Sequence, residues 1–247
     1  MKFYLTGDTH GDFSRFTYNY FDIADSVGII ILGDAGVNYY LNKKDYELKK
    51  QLKNELPNVI FYLVRGNHEA RPESLITMKN VYDKRVEGNV WQEDEFPNIK
   101  YLQDGEVYTF NGKKALVIGG AYSVDKEYRL INHWQWFPTE QLSAAERENI
   151  AEKYAGQHFD FVLSHTCPYP WMPFDKFLPT IDQTKVDNSM EYWMEDLSHK
   201  ISYTVWCFGH FHDDRQINYY SAMLSESIID MDKMFKNYKR LQRKISK

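Results

Sequence analysis

Val59–Glu69 reads VIFYLVRGNHE, and its two halves follow different rules. Val59–Val64 is an unbroken apolar run, the pattern of a strand buried on both faces. Arg65-Gly66-Asn67-His68-Glu69 then crowds an amide, an imidazole and a carboxylate into the turn that must follow. The same change of character recurs upstream, where Lys2–Thr6 leads into Gly7-Asp8-Thr9-His10-Gly11 and Val27–Leu32 (VGIIIL) leads into Gly33-Asp34. It recurs downstream, where Phe159–Leu163 precedes Ser164-His165 and Tyr203–Phe208 precedes Gly209-His210-Phe211-His212. Each of these strands delivers metal-capable side chains at its C-terminal end, which is where open α/β sheets place their sites.

Between these runs the chain alternates. Helical spacing is expected over Phe13–Ala24 and over Lys43–Leu56, and Pro72–Met78 begins another helix with proline in its first turn. Lys100–Leu102 and Glu106–Phe110 flank an Asp104-Gly105 hairpin signal, Asn111-Gly112 marks a second tight turn, and Ala115–Ile118 extends the pattern. Thr139–Tyr154 reads as a helix capped by Thr139, residues 166–187 as proline-interrupted loop, Ser189–His199 as a helix, and Gln216–Leu224 as one or two strands. The expected fold class is α/β, a four-layer αββα sandwich of two mixed sheets flanked by helices.

Composition bounds the function. The 247 residues fit one large domain, residues 1–229, with 230–247 as a basic helical tail of the same domain. That tail carries seven Lys/Arg against two Asp, so the body is more acidic than the net charge of −5. An acidic body argues against a broad duplex nucleic-acid footprint. The longest apolar stretch is far short of a membrane span, no signal peptide is recognisable, and two cysteines imply no disulfide framework, so the cytoplasm is the expected compartment. Cys167, two residues past His165, is a remote candidate thiolate ligand. His133, His158 and His199 lie outside the ligand-bearing turns, though the Arg129–Trp136 segment holding His133 is placed to cover a site.

The five blocks, in their order along residues 8–212, resemble the motifs of the calcineurin-like metallophosphoesterases. Each block alone is weak, whereas the ordered set is specific. The resemblance implies the αββα fold and a two-metal centre at the sheet edge. It assigns Asp8, His10 and His212 to one cation, Asn67, His165 and His210 to the other, and Asp34 to both. His68 is implied as general acid toward the leaving oxygen. Mixed imidazole and carboxylate donors suit two divalent transition-metal ions, Mn first, with Fe, Zn or Co also fitting. Such a pair clamps a phosphate and activates a bridging water whose hydroxide attacks phosphorus, so the implied activity is phosphomonoesterase or phosphodiesterase. The substrate is a small molecule, a nucleotide or a phosphoprotein.

The chain departs from the Ser/Thr protein phosphatases, which continue the second block as Gly-Asp-x-x-Asp-Arg-Gly. Val37 stands at the orienting Asp and Asn38 at the phosphate-clamping Arg. Arg71, or failing it Arg129, is the expected substitute clamp. A Ser/Thr phosphatase-like enzyme and a Mn-dependent nuclease are the alternatives, and a metal-free binding scaffold would have lost ligands that are all present.

Overall fold

The computed structural model describes residues 1–16, 26–177 and 179–245. In chain order the elements are β1 (Lys2–Thr6), β2 (Val27–Leu32), α1 (Lys43–Glu55), β3 (Val59–Val64), β4 (Lys79–Asp83), β5 (Gly88–Gln92), β6 (Ile99–Leu102), β7 (Val107–Phe110) and β8 (Lys113–Ile118). They continue with α2 (Lys126–Ile131), α3 (Ala144–Tyr154), β9 (His158–Ser164), α4 (Ser189–Lys200), β10 (Ser202–Phe208), β11 (Arg215–Asn218), β12 (Ser221–Met223), β13 (Ile229–Asp230) and α5 (Met231–Ile245). One mixed sheet runs β13-β1-β2-β3-β6-β5-β4 and the other β11-β12-β10-β9-β8-β7.

Side-chain alternation builds the layers. Along β2, Ile30 and Leu32 enter the core between the sheets, while Ile29 and Ile31 face the opposite way, into the cluster that holds Leu52 of α1. β3 repeats this, with Ile60, Tyr62 and Val64 inward and Phe61 and Leu63 outward. β2 and β3 pair parallel from Val27↔Val59 to Leu32↔Val64, so their ends, and the turns beyond, lie side by side. On the far side α3 and α4 pack Ile150, Tyr154, Met190, Met194 and Leu197 against Val162, Trp206 and Phe208. The expected αββα sandwich is therefore observed. α5 presents Met231, Met234, Phe235 and Tyr238 to the inter-sheet core at helical spacing and leaves Lys233, Lys236, Lys239 and Arg240 exposed. Among the described residues no helix is long and apolar enough to cross a membrane.

Several local expectations change. Asp104-Gly105 does not close a hairpin, because β6 and β7 belong to different sheets. Asp104 instead accepts from Arg65 Nε at 2.9 Å and from the Gly119 amide at 2.8 Å, tying the crossing between sheets. The tight hairpin is at Asn111-Gly112, both at positive φ (48° and 73°), between paired Phe110 and Lys113. Pro72–Met78 forms only a 3-10 turn over Pro72–Ser74, and the chain then enters the β4–β5 edge hairpin. That hairpin is polar and half-exposed, so it lacks the apolar signature of the inner strands. α3 starts at Ala144 rather than Thr139, capped by a Ser143–Glu146 capping box, and α2 has no counterpart in the pattern reading. Most of the Phe13–Ala24 helix expectation lies outside the described residues; Ser14–Phe16 form a 3-10 turn.

Candidate metal centre

The turns after β1, β2, β3, β9 and β10 converge at one edge of the sandwich. Asp8, His10 and His212 bring ligand atoms within 4.8 Å of one another, as do His10, Asp34 and His68, and as do Asp34, His165 and His210. Asp34 is the hinge of the group. Its Oδ2 stands 3.9 Å from His10 Nε2 and 3.8 Å from His68 Nε2, and its Oδ1 stands 3.5 Å from His165 Nε2. Asn67 Oδ1 lies 2.8 Å from His165 Nε2. All seven expected ligands are thus brought together, with His68 beside them.

Backbone strain marks the same residues. Of nine non-glycine residues at positive φ among those described, five are Asp8, His10, Asp34, His210 and His212. Left-handed backbone is costly for such residues and persists where the surroundings enforce it. Two glycines make the approach possible. A Cβ on Gly33 would stand 2.0 Å from His165 Nδ1, and one on Gly66 would stand 1.9 Å from Asp34 Oδ1.

Hydrogen bonds aim the donor atoms. The His210 amide donates to Asp8 Oδ1 at 3.0 Å, and the His68 amide donates to Asp34 Oδ1 at 2.9 Å. Asp8 Oδ2 is left buried without a partner among the described residues. His165 Nδ1–H donates to the Leu32 carbonyl at 2.8 Å, which frees Nε2 for the cluster. Asn67 Nδ2 donates to Ser123 Oγ at 2.8 Å, and Ser123 Oγ donates to Glu140 Oε2 at 2.5 Å, so the amide oxygen is the end turned toward His165. Glu69 accepts from the Gly36 and Gly66 amides, at 3.0 and 3.2 Å, and joins two of the ligand turns.

The electrostatics fit a cation site. Burial pushes the Asp8 carboxyl up to about 8 and the His10 imidazole down to about 4. Burial opposes ionisation of Asp34 too, but His165 and His68 hold it well below the usual carboxylate range. Burial opposes the charged form of His165, but Asp34, with Asp8 and the Leu32 carbonyl, raises it to about 9. His10 Nε2 and His212 Nε2 stand 2.9 Å apart. Facing imidazole nitrogens, a bare buried carboxylate oxygen and a second carboxylate amid histidines form a donor set suited to divalent transition-metal ions. Cys167 is buried, its thiol raised by that burial, and it joins none of the three ligand groups.

The surroundings of His68 could not be read from sequence. Arg129 Nη2 donates to His68 Nδ1 at 2.7 Å and also touches Nε2, while Arg129 Nε donates to Asp125 at 2.8 Å. Tyr39 stacks on the His68 ring, with centroids 6.0 Å apart. Burial lowers the His68 pKa; Asp34 counters this and Arg129 adds to it. Val37 is a core residue with 1% exposure. Arg71 is not in this group. Its guanidinium donates to Glu146 Oε1 at 2.6 Å and to the Thr139 and Gln141 carbonyls at 3.0 Å.

The family model for calcineurin-like phosphoesterases matches residues 1–214. No curated protein matches the chain. Among solved structures, the phosphopantetheinyl hydrolase PptH from Mycobacterium tuberculosis is similar at 13% identity and a TM-score of 0.41, covering 97% of this chain and 92% of that one. With the match spanning all five ligand-bearing turns, the chain belongs to the calcineurin-like phosphoesterase family and is a metal-dependent phosphoesterase.

Proposed function

We propose that the chain hydrolyses phosphoesters with two divalent cations, Mn the leading candidate, held by Asp8, His10 and His212 on one side and by Asn67, His165 and His210 on the other, with Asp34 shared. The observation that carries this reading is the central position of Asp34 within reach of both His10 and His165. Bound cations would supply Lewis acidity to the phosphate oxygens and lower the pKa of a water so that hydroxide is available as the nucleophile. The chain's own residues do the rest. His68 stands beside the cluster and delivers a proton to the departing ester oxygen. Arg129, rather than Arg71, is the arm placed to meet the phosphate, because its Nη2 stands at the His68 ring while the Arg71 guanidinium faces Glu146 and the Thr139 and Gln141 carbonyls. Asn67 keeps its oxygen toward the cation through Ser123 and Glu140. The acidic body and the buried Val37 disfavour the nuclease and protein-phosphatase alternatives. On this reading α5 is an integral part of the catalytic domain.

The test is metal analysis with rates for p-nitrophenyl phosphate and bis-p-nitrophenyl phosphate after manganese loading. The reading expects close to two ions per chain and turnover of at least one ester. Fewer than one ion per chain, with neither ester cleaved, would reject it; the ratio of the two rates separates monoesterase from diesterase.

A further inference from the structure

Between Ser123 and Trp136 the chain forms a strap that carries α2 and, on it, Arg129. Every residue between those two ends except Arg129 is exposed or half-buried, so apolar burial contributes little to seating the strap. Its two ends instead meet on one side chain. Glu140, 3% exposed, accepts from the Ser123 amide at Oε1 (3.1 Å), and from Ser123 Oγ (2.5 Å) and Trp136 Nε1 (2.9 Å) at Oε2. Bonds to an ionised carboxylate are stronger than their neutral equivalents. Glu140 is held in turn through its main chain. Arg65 Nη1 donates to its carbonyl at 2.7 Å, and Arg65 Nε donates to Asp104 at 2.9 Å. At one end of the strap the Ser123 hydroxyl accepts from Asn67 Nδ2. In its middle Arg129 reaches His68 Nδ1.

We propose that Glu140 is a positioning residue whose carboxylate closes the strap, so that one side chain sets both the Asn67 amide at the metal centre and the Arg129 guanidinium at His68. The proposal rests on the phosphoesterase reading for the roles of Asn67 and Arg129. The two effects separate by end: Ser123 transmits to the metal, and Trp136 transmits to the phosphate arm. With the Trp136 end released, seating Arg129 costs the entropy of closing the loop again.

Equilibrium dialysis of manganese and calorimetric binding of inorganic phosphate to the manganese-saturated protein test it. Turnover of p-nitrophenyl phosphate and its bis ester is measured on the unaltered chain in parallel. Glu140→Gln keeps the shape but leaves one acceptor oxygen for three donors. It weakens manganese binding about 10- to 100-fold and phosphate binding about tenfold. Ser123→Ala weakens manganese alone, and Trp136→Phe weakens phosphate while leaving manganese affinity within about twofold. In an Arg129→Ala background the phosphate loss from Trp136→Phe disappears, because the arm it seats is gone; a side chain that only stabilises the fold gives no such non-additivity. Should Glu140→Gln misfold, the two single-end variants and this cycle carry the test. Unchanged phosphate affinity in Trp136→Phe, a loss that persists in Arg129→Ala, or a folded Glu140→Gln that weakens only one of the two ligands overturns the proposal. Ester turnover without these patterns rejects the strap's closure alone; the patterns without turnover reject the hydrolytic reading and uphold the closure.

Discussion

Arg129 donates from Nη2 to Nδ1 of His68 at 2.7 Å, and it reaches there from a helix 61 residues downstream. An arginine cannot accept, so the imidazole nitrogen it bonds presents a lone pair to it. Arg129 is nearly fully buried, and Asp125 balances its charge.

Arg129→Ala is expected to raise KM for a doubly charged monoester about 10- to 100-fold, the loss of a charged hydrogen bond, and to affect a diester less. Arg129→Lys should restore little, because a point charge lacks the fork. Steady-state kinetics on both esters checks this; equal losses on the two would place Arg129 outside phosphate recognition.

His68→Ala should retain its metal and lose rate in proportion to the difficulty of the leaving group. A loss of about 10²- to 10⁴-fold is expected for an alkyl phosphate and a much smaller one for p-nitrophenyl phosphate. A uniform loss across both substrates would contradict proton delivery.

On the proposed reading Asp34→Asn should empty at least one cation position, since Oδ2 lies near His10 and Oδ1 near His165. Ser123→Ala acts one step further out, releasing the Asn67 amide, and should weaken manganese binding about 10- to 100-fold. Equilibrium dialysis measures both, and unchanged affinity in Ser123→Ala would sink the orienting role.

Manganese affinity should climb with pH through neutrality. In the metal-free protein the Asp8 carboxyl is raised to about 8 and His165 to about 9, so both hold protons near pH 7 that a cation must displace. Binding therefore releases protons below these values and ceases to do so above about pH 9. Calorimetry in buffers of different ionisation enthalpy reads the release directly; none at pH 7 would contradict the assignment.

The strands and the turns beyond them were legible because β2, β3, β9 and β10 are buried on both faces and their apolar runs end abruptly at polar residues. The candidate ligands sit at the same junctions, where the structure gathers them. What surrounds the ligands was not legible. Ser123, Asp125, Arg129 and Glu140 sit between Ile118 and α3 with no periodicity to locate them, and only tertiary contact selects Arg129 over Arg71 for His68. The edge hairpin β4–β5 was missed for the opposite reason, since half-exposed strands need no apolar run.

The even and odd residues of β2 and β3 serve opposite cores, and the next residues along are the ligand turns. Sliding either strand by one position would exchange its two faces and carry Asp34 or Asn67 away from its partners in the same movement. A chain that has collapsed without settling its register therefore has no catalytic centre at all. Activity recovered during refolding should track the arrival of fixed core packing rather than the earlier gain of secondary structure, so the turnover assay doubles as a clock for the last step of folding.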